Sequence, residues 1–162
     1  MKRKVVFFDR DGVINNNGLY YTYKWEDFSF NTGVIETLTL LQQKGFEFIV
    51  VSNQSGIAKG LYTILDVEQL HKQLSQYLQK NNIHILEYYY CTHHPDFGNC
   101  LCRKPSSLLF EKAIARFNID TTQSWMIGDQ ARDIEASEKV GIKGILIEPN
   151  SDLRQILNVI LK

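Results

Sequence analysis

Hydrophobic and polar positions follow one another in blocks along the chain, and the blocks predict five strand–helix pairs. Short β-branched and aromatic runs, typical of buried strands, are each followed by apolar residues at helical spacing. The five predicted strands are Lys4–Phe8, Phe46–Val51, Ile85–Tyr90, Ser124–Ile127 and Gly144–Ile147. Repeated alternation of this kind predicts a parallel sheet with helices on both faces, in one doubly wound α/β domain over residues 1–162.

The segments between the strands carry the apolar spacing and the end signals of helices. Val34, Leu38 and Leu41 share one helical face, and Gly45 supplies a stop signal. Thr63 is a candidate N-cap for the next helix. The later helices are predicted over Leu109–Phe117, up to about Val140, and near Leu153–Leu161. The aromatic stretch between the first strand and the first helix is interpreted as core and loop packing rather than a stacking platform.

Polar side chains follow the first four predicted strands. In an open parallel sheet the carboxyl ends of the strands share one edge, which is where ligands bind. Residues far apart in sequence are therefore expected to converge there. They are Asp9, Asp11, Ser52, Asn53, Arg103, Lys104 and Asp129.

Two carboxylates stand two positions apart directly after the first strand. In extended geometry Asp9 and Asp11 point the same way, and Gly12 allows the chain to turn tightly. With Asp129 they would form a hard oxygen site suited to Mg²⁺. The alternative is a solvated turn, because Asp and Gly are common turn residues.

Composition and charge narrow the class of ligand. The chain is 44% hydrophobic and 22% charged, which suits a packed core and excludes disorder. Eighteen basic and eighteen acidic residues give a net charge of +0, which argues against a nucleic-acid partner but not against a small phosphorylated one. No run approaches the ~20 apolar residues of a membrane span, so we expect no membrane partner and a cytoplasmic location.

All three cysteines fall in one short window, which in a cytoplasmic protein favours metal over disulfides. Two ligand pairs with suitable spacing, one Cys/His and one Cys/Cys, predict a closed tetrahedral zinc site of structural type. Its ligands would be Cys91, His93, Cys100 and Cys102. His94 is an alternative to His93, and three free cysteines with a surface histidine are the plain alternative. The zinc would hold the loop that carries Arg103 and Lys104.

Four segments, in order from about Val5 to Ala136, resemble the four motifs of the haloacid dehalogenase (HAD) superfamily of aspartate-nucleophile phosphatases. The segments are Phe7–Val13, Val50–Gln54, Lys104, and Ile127–Asp129 with Asp133. The resemblance implies a Rossmann-like fold and a phosphatase that works through an aspartyl-phosphate. Because little sequence separates the first three motifs, we expect no cap domain.

The resemblance also implies a role for each motif residue. Asp9 would be the nucleophile, and Asp11 would protonate the leaving oxygen and then activate water. Mg²⁺ would be held by Asp9, the Asp11 backbone carbonyl and Asp129. Ser52 and Lys104 would hold the oxygens of the transferring phosphoryl group.

A narrower resemblance is to the D-glycero-D-manno-heptose 1,7-bisphosphate phosphatases, through Asn53–Ala58 and the Cys/His loop before Pro105. It implies a small phosphorylated sugar as substrate, with the 7-phosphate removed. The residues expected to contact substrate are Asn53, Gln54, Ser55 and Arg103. The chain also departs from these phosphatases, most simply at Gln130, where they carry a basic residue, and at Ser106–Leu108, where they tend to carry proline and glycine.

Two alternatives remain open on the sequence alone. Histidinol-phosphate phosphatases share much of the narrower pattern. A non-enzymatic phospho-receiver switch also brings carboxylates, a hydroxyl residue and a lysine to one edge of a parallel sheet. A monomer is expected for either phosphatase.

Overall fold

The parallel sheet is present in the computed structural model, which describes residues 1–162. Its strands are β1 Lys4–Phe8, β2 Phe46–Asn53, β3 Ile85–Cys91, β4 Trp125–Gly128 and β5 Lys143–Leu146. They lie in the order β3-β2-β1-β4-β5, and every neighbouring pair is parallel. The strand–helix alternation therefore gives the predicted sheet.

Five α-helices connect or follow the strands. They are α1 Val34–Gln43, α2 Ile64–Lys80, α3 Leu108–Phe117, α4 Ala131–Glu138 and α5 Leu157–Ile160. Thr63 is the N-cap of α2, as predicted: Asp66 N donates to Thr63 Oγ1 at 3.2 Å, and Thr63 N donates to Asp66 Oδ2 at 2.7 Å. No helix is both long and apolar enough to cross a membrane.

The sheet has a hydrophobic core on each face. Val6 and Phe8 of β1 pack into a cluster of 17 buried residues with side chains from α1, α2 and the C-terminal helix. Val5 and Phe7 point to the other face, into a cluster of 12 buried residues with side chains from α3 and α4. Alternate residues of one strand thus enter opposite cores, which confirms the doubly wound arrangement.

The strand order reverses beside β1, and this places the candidate site. The chain moves outward from β1 to β3, then returns to the other side of β1 as β4 and β5. The crevice between the carboxyl ends of β1 and β4 is therefore the switch point at which such sheets bind ligands. Receiver domains have the order 2-1-3-4-5, so the sheet does not have the receiver topology.

Some boundaries differ from the sequence prediction. β2 continues to Asn53 and β3 to Cys91, because Asn53 still pairs with Cys91 across the two strands. The closing helix consists of a 3-10 segment, Leu153–Ile156, followed by the short α5. The connections after β1 and β3 each contain only single-turn 3-10 helices before the next α-helix, so no cap domain is present, as expected.

Candidate active site

Asp9 follows the last residue of β1 and faces a buried lysine. Its backbone N donates to Ile127 O of β4 at 2.9 Å, so the two strands fix its position together. Lys104 Nζ lies 3.0 Å from Asp9 Oδ1 and 2.7 Å from Asp133 Oδ1, and it donates to Val51 O at 2.6 Å. Lys104 is 1% exposed, so its charge is balanced by these carboxylates rather than by water.

Three carboxylates cluster at this point, and two of them, Asp9 and Asp133, contact the Lys104 ammonium. One oxygen each from Asp9, Asp129 and Asp133 lies within 4.8 Å of the others. Burial raises the pKa of Asp9 to about 8, against the opposing effect of Lys104, and burial also raises the pKa of Asp129. Asp129 Oδ1 is buried and has no hydrogen-bond partner. An excess of negative charge and an unpartnered oxygen fit a hard divalent cation such as Mg²⁺.

The close approach of the first and fourth strand ends depends on Gly12. Its φ is +89°, in the left-handed region, and a Cβ there would lie 2.3 Å from Asp129 Oδ2 and 3.0 Å from Asn17 Nδ2. Any side chain at this position would therefore push the Asp129 carboxylate away from Asp9.

Three side chains orient Asp11. Its Oδ1 accepts from Arg10 Nη2 at 2.9 Å and from Asn15 Nδ2 at 3.0 Å, and its Oδ2 accepts from Gln54 Nε2 at 2.9 Å. Tyr62 OH in turn donates to Gln54 Oε1 at 2.7 Å. The position of Asp11 is thus set from β2 as well as from its own turn.

Arg10 is fully buried beneath this turn. Besides Asp11 it bonds to Thr22 O, and its Nη1 lies 3.2 Å from His71 Nε2. Burial and the Arg10 charge lower the pKa of His71 to about 2, so the ring is neutral and accepts from Arg10. His71 stacks on Tyr88 with ring centroids 4.3 Å apart. The charge of Arg10 is therefore directed towards Asp11.

Residues at the end of β2 form hydrogen bonds with the backbone of Lys104 and with the side chain of Gln54, which in turn binds Asp11. Asn53 Oδ1 accepts from Lys104 N at 3.0 Å, and Asn53 Nδ2 donates to Lys104 O at 3.2 Å. Ser52 is 1% exposed, and its Oγ accepts from Gln54 Nε2 at 2.7 Å. Asn53, Gln54 and Ser52 thus hold other protein groups, and Asn53, Gln54 and Ser55 also line the cavity described next.

A cavity of about 390 Å³ opens above these groups. Seven of its lining residues are among those singled out in the sequence: Asp9, Asp11, Asn53, Gln54, Ser55, Lys104 and Asp129. Of the remaining candidates, Ser52 lies beneath the cavity surface. Arg103 does not line it, and its Nη1 is 3.4 Å from His93 O in the Cys/His loop.

Six further lining residues were not among the candidate site residues: Asn17, Tyr20, Tyr21, Thr22, Tyr62 and Arg132. Gln130, noted in the sequence as a departure from the resembled phosphatases, also lines the cavity. The aromatic stretch between β1 and α1 has two environments in the structure. Tyr20 and Tyr21 border the cavity, whereas Trp25 and Phe28 pack on the core. Asp133 was also not assigned to the carboxylate cluster. Its signal was available, since it belongs to the fourth HAD-like motif.

The four proposed zinc ligands are close together at the end of β3. Cys91 Sγ lies 3.7 Å from Cys100 Sγ and 3.1 Å from Cys102 Sγ, and His93 Nδ1 lies 3.2 Å from Cys102 Sγ. A tetrahedral zinc with Zn–S of about 2.3 Å places its sulfurs roughly 3.8 Å apart, so the set fits this metal. His94 lies outside the cluster, where its Nδ1 accepts from the backbone N of Asp96.

Known proteins share both the fold and the sequence. The family model of HAD-like hydrolases matches residues 101–157. A D-glycero-beta-D-manno-heptose-1,7-bisphosphate 7-phosphatase of Haemophilus ducreyi is 39% identical over 150 residues, covering 88% of this chain and 81% of the relative. A D-glycero-alpha-D-manno-heptose-1,7-bisphosphate 7-phosphatase of Photorhabdus laumondii is 37% identical, covering 87% and 80%.

A solved structure agrees with these relatives. The D,D-heptose 1,7-bisphosphate phosphatase from B. bronchiseptica, crystallised with magnesium and phosphate, superposes with a TM-score of 0.83 at 26% identity, covering 96% of this chain and 86% of that one. The fold and the site define a HAD-type phosphatase, an enzyme that hydrolyses phosphate esters. Within that class, the chain belongs to the family of the heptose-1,7-bisphosphate 7-phosphatases. The histidinol-phosphate phosphatase and receiver alternatives are not favoured.

Proposed function

We propose that the chain hydrolyses the 7-phosphate of D-glycero-D-manno-heptose 1,7-bisphosphate, acting as one catalytic domain over residues 1–162. The supporting observation is the buried Lys104 ammonium shared by Asp9 and Asp133 at the floor of the cavity. This contact places a candidate nucleophile, Asp9, next to a fixed positive charge, Lys104, as phosphoryl transfer requires. The names of the relatives supply the sugar.

In the proposed reaction Asp9 attacks phosphorus, and the bond from phosphorus to the sugar oxygen breaks. Asp11 gives its proton to that oxygen as it leaves, which produces an aspartyl-phosphate and heptose 1-phosphate. Asp11 then takes a proton from the incoming water, whose oxygen displaces the phosphate from Asp9. Lys104 stabilises the negative charge on the transferring oxygens. Ser52, which was expected to share this role, lies beneath the cavity surface and accepts from Gln54.

Asp9, Asp129 and the Asp11 backbone carbonyl would hold Mg²⁺, with Asp133 next to them. The metal would supply charge neutralisation between the nucleophile and the phosphate. The unpartnered Asp129 Oδ1 supports this proposal, as does the cluster of three carboxylates, of which only Asp9 and Asp133 pair with Lys104.

Zinc is proposed to be structural, bound by the cluster at the end of β3. Four protein ligands leave no open position for substrate. The loop closed in this way leads directly into Arg103 and Lys104, and Asn53 fixes Lys104 from the opposite side. Asn53 and Gln54, predicted to contact substrate, are placed to position Lys104 and Asp11 as well.

Phosphate release from both anomers of heptose 1,7-bisphosphate and from histidinol phosphate, with Mg²⁺, tests the proposal. We expect turnover of at least one heptose anomer, with a kcat/KM higher than that for histidinol phosphate. We expect Asp9→Asn to lower kcat by at least ~10³-fold, because the amide cannot attack phosphorus. Arg116→Ala is the control, because it removes an exposed arginine that pairs with Glu87 and does not line the cavity.

Two results would contradict the proposal. One is a higher kcat/KM for histidinol phosphate than for either heptose anomer. The other is unchanged phosphate release by Asp9→Asn.

A further inference from the structure

Only two of the residues that line the cavity are cationic, and they differ in what they contact. Lys104 is buried, and its ammonium is already engaged by Asp9, Asp133 and Val51 O. Arg132 is exposed and makes no hydrogen bond or ion pair in the structure. The cavity therefore contains one cation that is not used by the protein itself.

Arg132 lies in the first turn of α4, three residues after Asp129. It is on the same side of the sheet edge as the carboxylate cluster, and it borders the cavity together with Gln130. Because it is exposed and Lys104 is buried, Arg132 belongs to the mouth of the cavity, while the phosphoryl-transfer groups form its floor.

A sugar bisphosphate brings two phosphates, and the floor accounts for only one of them. The second phosphate carries a charge of about −1.5 to −2 near neutral pH, and three carboxylates already line the cavity. It needs a cation of its own. Arg103 does not provide one in this structure, because it does not line the cavity and its guanidinium lies against His93 O.

We propose that Arg132 binds the phosphate that is not transferred and so selects bisphosphates over monophosphates. This inference rests on the proposed function and deepens it. The planar guanidinium can donate two parallel hydrogen bonds to one phosphate, which an ammonium cannot do. The cavity of about 390 Å³ is within the usual range for small-molecule sites and has room for a phosphorylated sugar.

The test compares heptose 1,7-bisphosphate with heptose 7-phosphate, which differ only in the phosphate assigned to Arg132. One exposed contact of this kind changes affinity by roughly tenfold. We expect Arg132→Ala to lower kcat/KM for the bisphosphate by about tenfold, mainly through KM. For the 7-phosphate the change should stay within about twofold. Arg132→Lys should recover part of the loss.

Product inhibition gives a second readout that does not depend on turnover of the bisphosphate. Heptose 1-phosphate keeps only the phosphate assigned to Arg132, so its inhibition constant should rise about tenfold in Arg132→Ala. Arg116→Ala is the matched control. It removes an exposed arginine of α3 that pairs with Glu87 away from the cavity, and it should leave every constant unchanged.

The outcomes separate the two proposals. If the wild-type protein prefers the bisphosphate and Arg132→Ala keeps that preference, the assignment of Arg132 is wrong while the proposed function stands. Equal losses for both substrates also overturn the assignment. If the wild-type protein releases no phosphate from the bisphosphate, the proposed function fails, and this inference fails with it.

Discussion

Lys104 shows how one residue can connect the core to the chemistry of the site. Burial alone would lower the pKa of its ammonium, but Asp9 and Asp133 raise it above the ordinary value, so the side chain stays charged. Removing one partner of such a buried pair costs about 3–5 kcal/mol. Lys104 is also fixed at its backbone by Asn53. Both ends of the residue are thus held, as an oriented catalytic cation requires.

Replacing Asn53 tests whether it acts on Lys104 or on substrate. Asn53→Ala removes two hydrogen bonds to the Lys104 backbone, so we expect kcat to fall by roughly tenfold and stability by about 1–3 kcal/mol. Asn53→Asp keeps the acceptor and loses the donor, so its kcat and its stability should lie between those of the wild type and those of Asn53→Ala. Steady-state kinetics and urea unfolding measure these effects. A rise in KM with kcat and stability unchanged would instead mean that Asn53 contacts substrate alone.

At the scale of elements, the loop between β3 and α3 carries three of the four proposed zinc ligands, His93, Cys100 and Cys102. It contains one short 3-10 helix, Pro95–Phe97, and its cysteines are unpaired by disulfides. Cys91 is buried in the second core, whereas Cys100 and Cys102 are only partly buried. A bound zinc would therefore connect this irregular segment, next to Lys104 in the sequence, to the end of β3.

The two neighbouring histidines offer a matched pair of variants for the zinc site. We expect the purified protein to contain about one zinc per chain, and His93→Ala to lose most of it. His94→Ala should keep the zinc, because His94 lies outside the cluster. Loss of the ion should lower Tm by roughly 10 °C, as binding free energy of a structural metal is folding free energy. Elemental analysis and thermal unfolding measure both effects. A zinc-free wild-type protein that is folded and active would contradict the site.

The elements show why the sequence predicts some features and not others. β1 was predicted with both boundaries, because a β-branched and aromatic run stops at Asp9. The convergence of Asp9, Lys104 and Asp129 was also predicted, since parallel strands end at one edge. Periodicity cannot show which side chain neighbours which across long separations. The burial of Arg10 therefore escaped, because it depends on His71, 61 residues away.

At the scale of the whole molecule, a net charge of +0 conceals a strong local imbalance. The carboxylates concentrate where β1 and β4 end, and Lys104 offsets only part of their charge. Burial and the neighbouring carboxylates raise the pKa of Asp9 to about 8 against the opposing effect of Lys104, so the metal-free protein holds a proton there at neutral pH. The stability of the metal-free protein should therefore depend on pH.

The sign of this dependence follows from Asp9, whose ordinary pKa is 3.8 and whose folded pKa is about 8. Between these values the folded state holds the extra proton, so stability falls as pH rises. From about pH 7 to about pH 8 we expect a loss of about 1 kcal/mol, or roughly 3 °C in Tm. Between pH 7 and pH 8 His71, whose ordinary pKa is 6.5, is neutral in the folded state and mostly neutral in the unfolded state, so it adds little to this slope.

Thermal unfolding with and without Mg²⁺ measures the effect. The increase in Tm on adding Mg²⁺ should grow across the same pH range, because the cation competes with the proton for Asp9. Asp9→Asn should remove most of the dependence on pH. A Mg²⁺ effect on Tm that is constant with pH would count against Asp9 as a ligand.

The position of Lys104 also has a consequence for how the chain folds. Its ammonium meets Asp9 across 95 residues of sequence and Val51 across 53. Contacts between such distant positions form only after the intervening segments have condensed, and the entropy of closing those loops makes them slow. Activity should therefore return among the last events of refolding. A partly folded chain would have secondary structure but could not yet cleave phosphate esters.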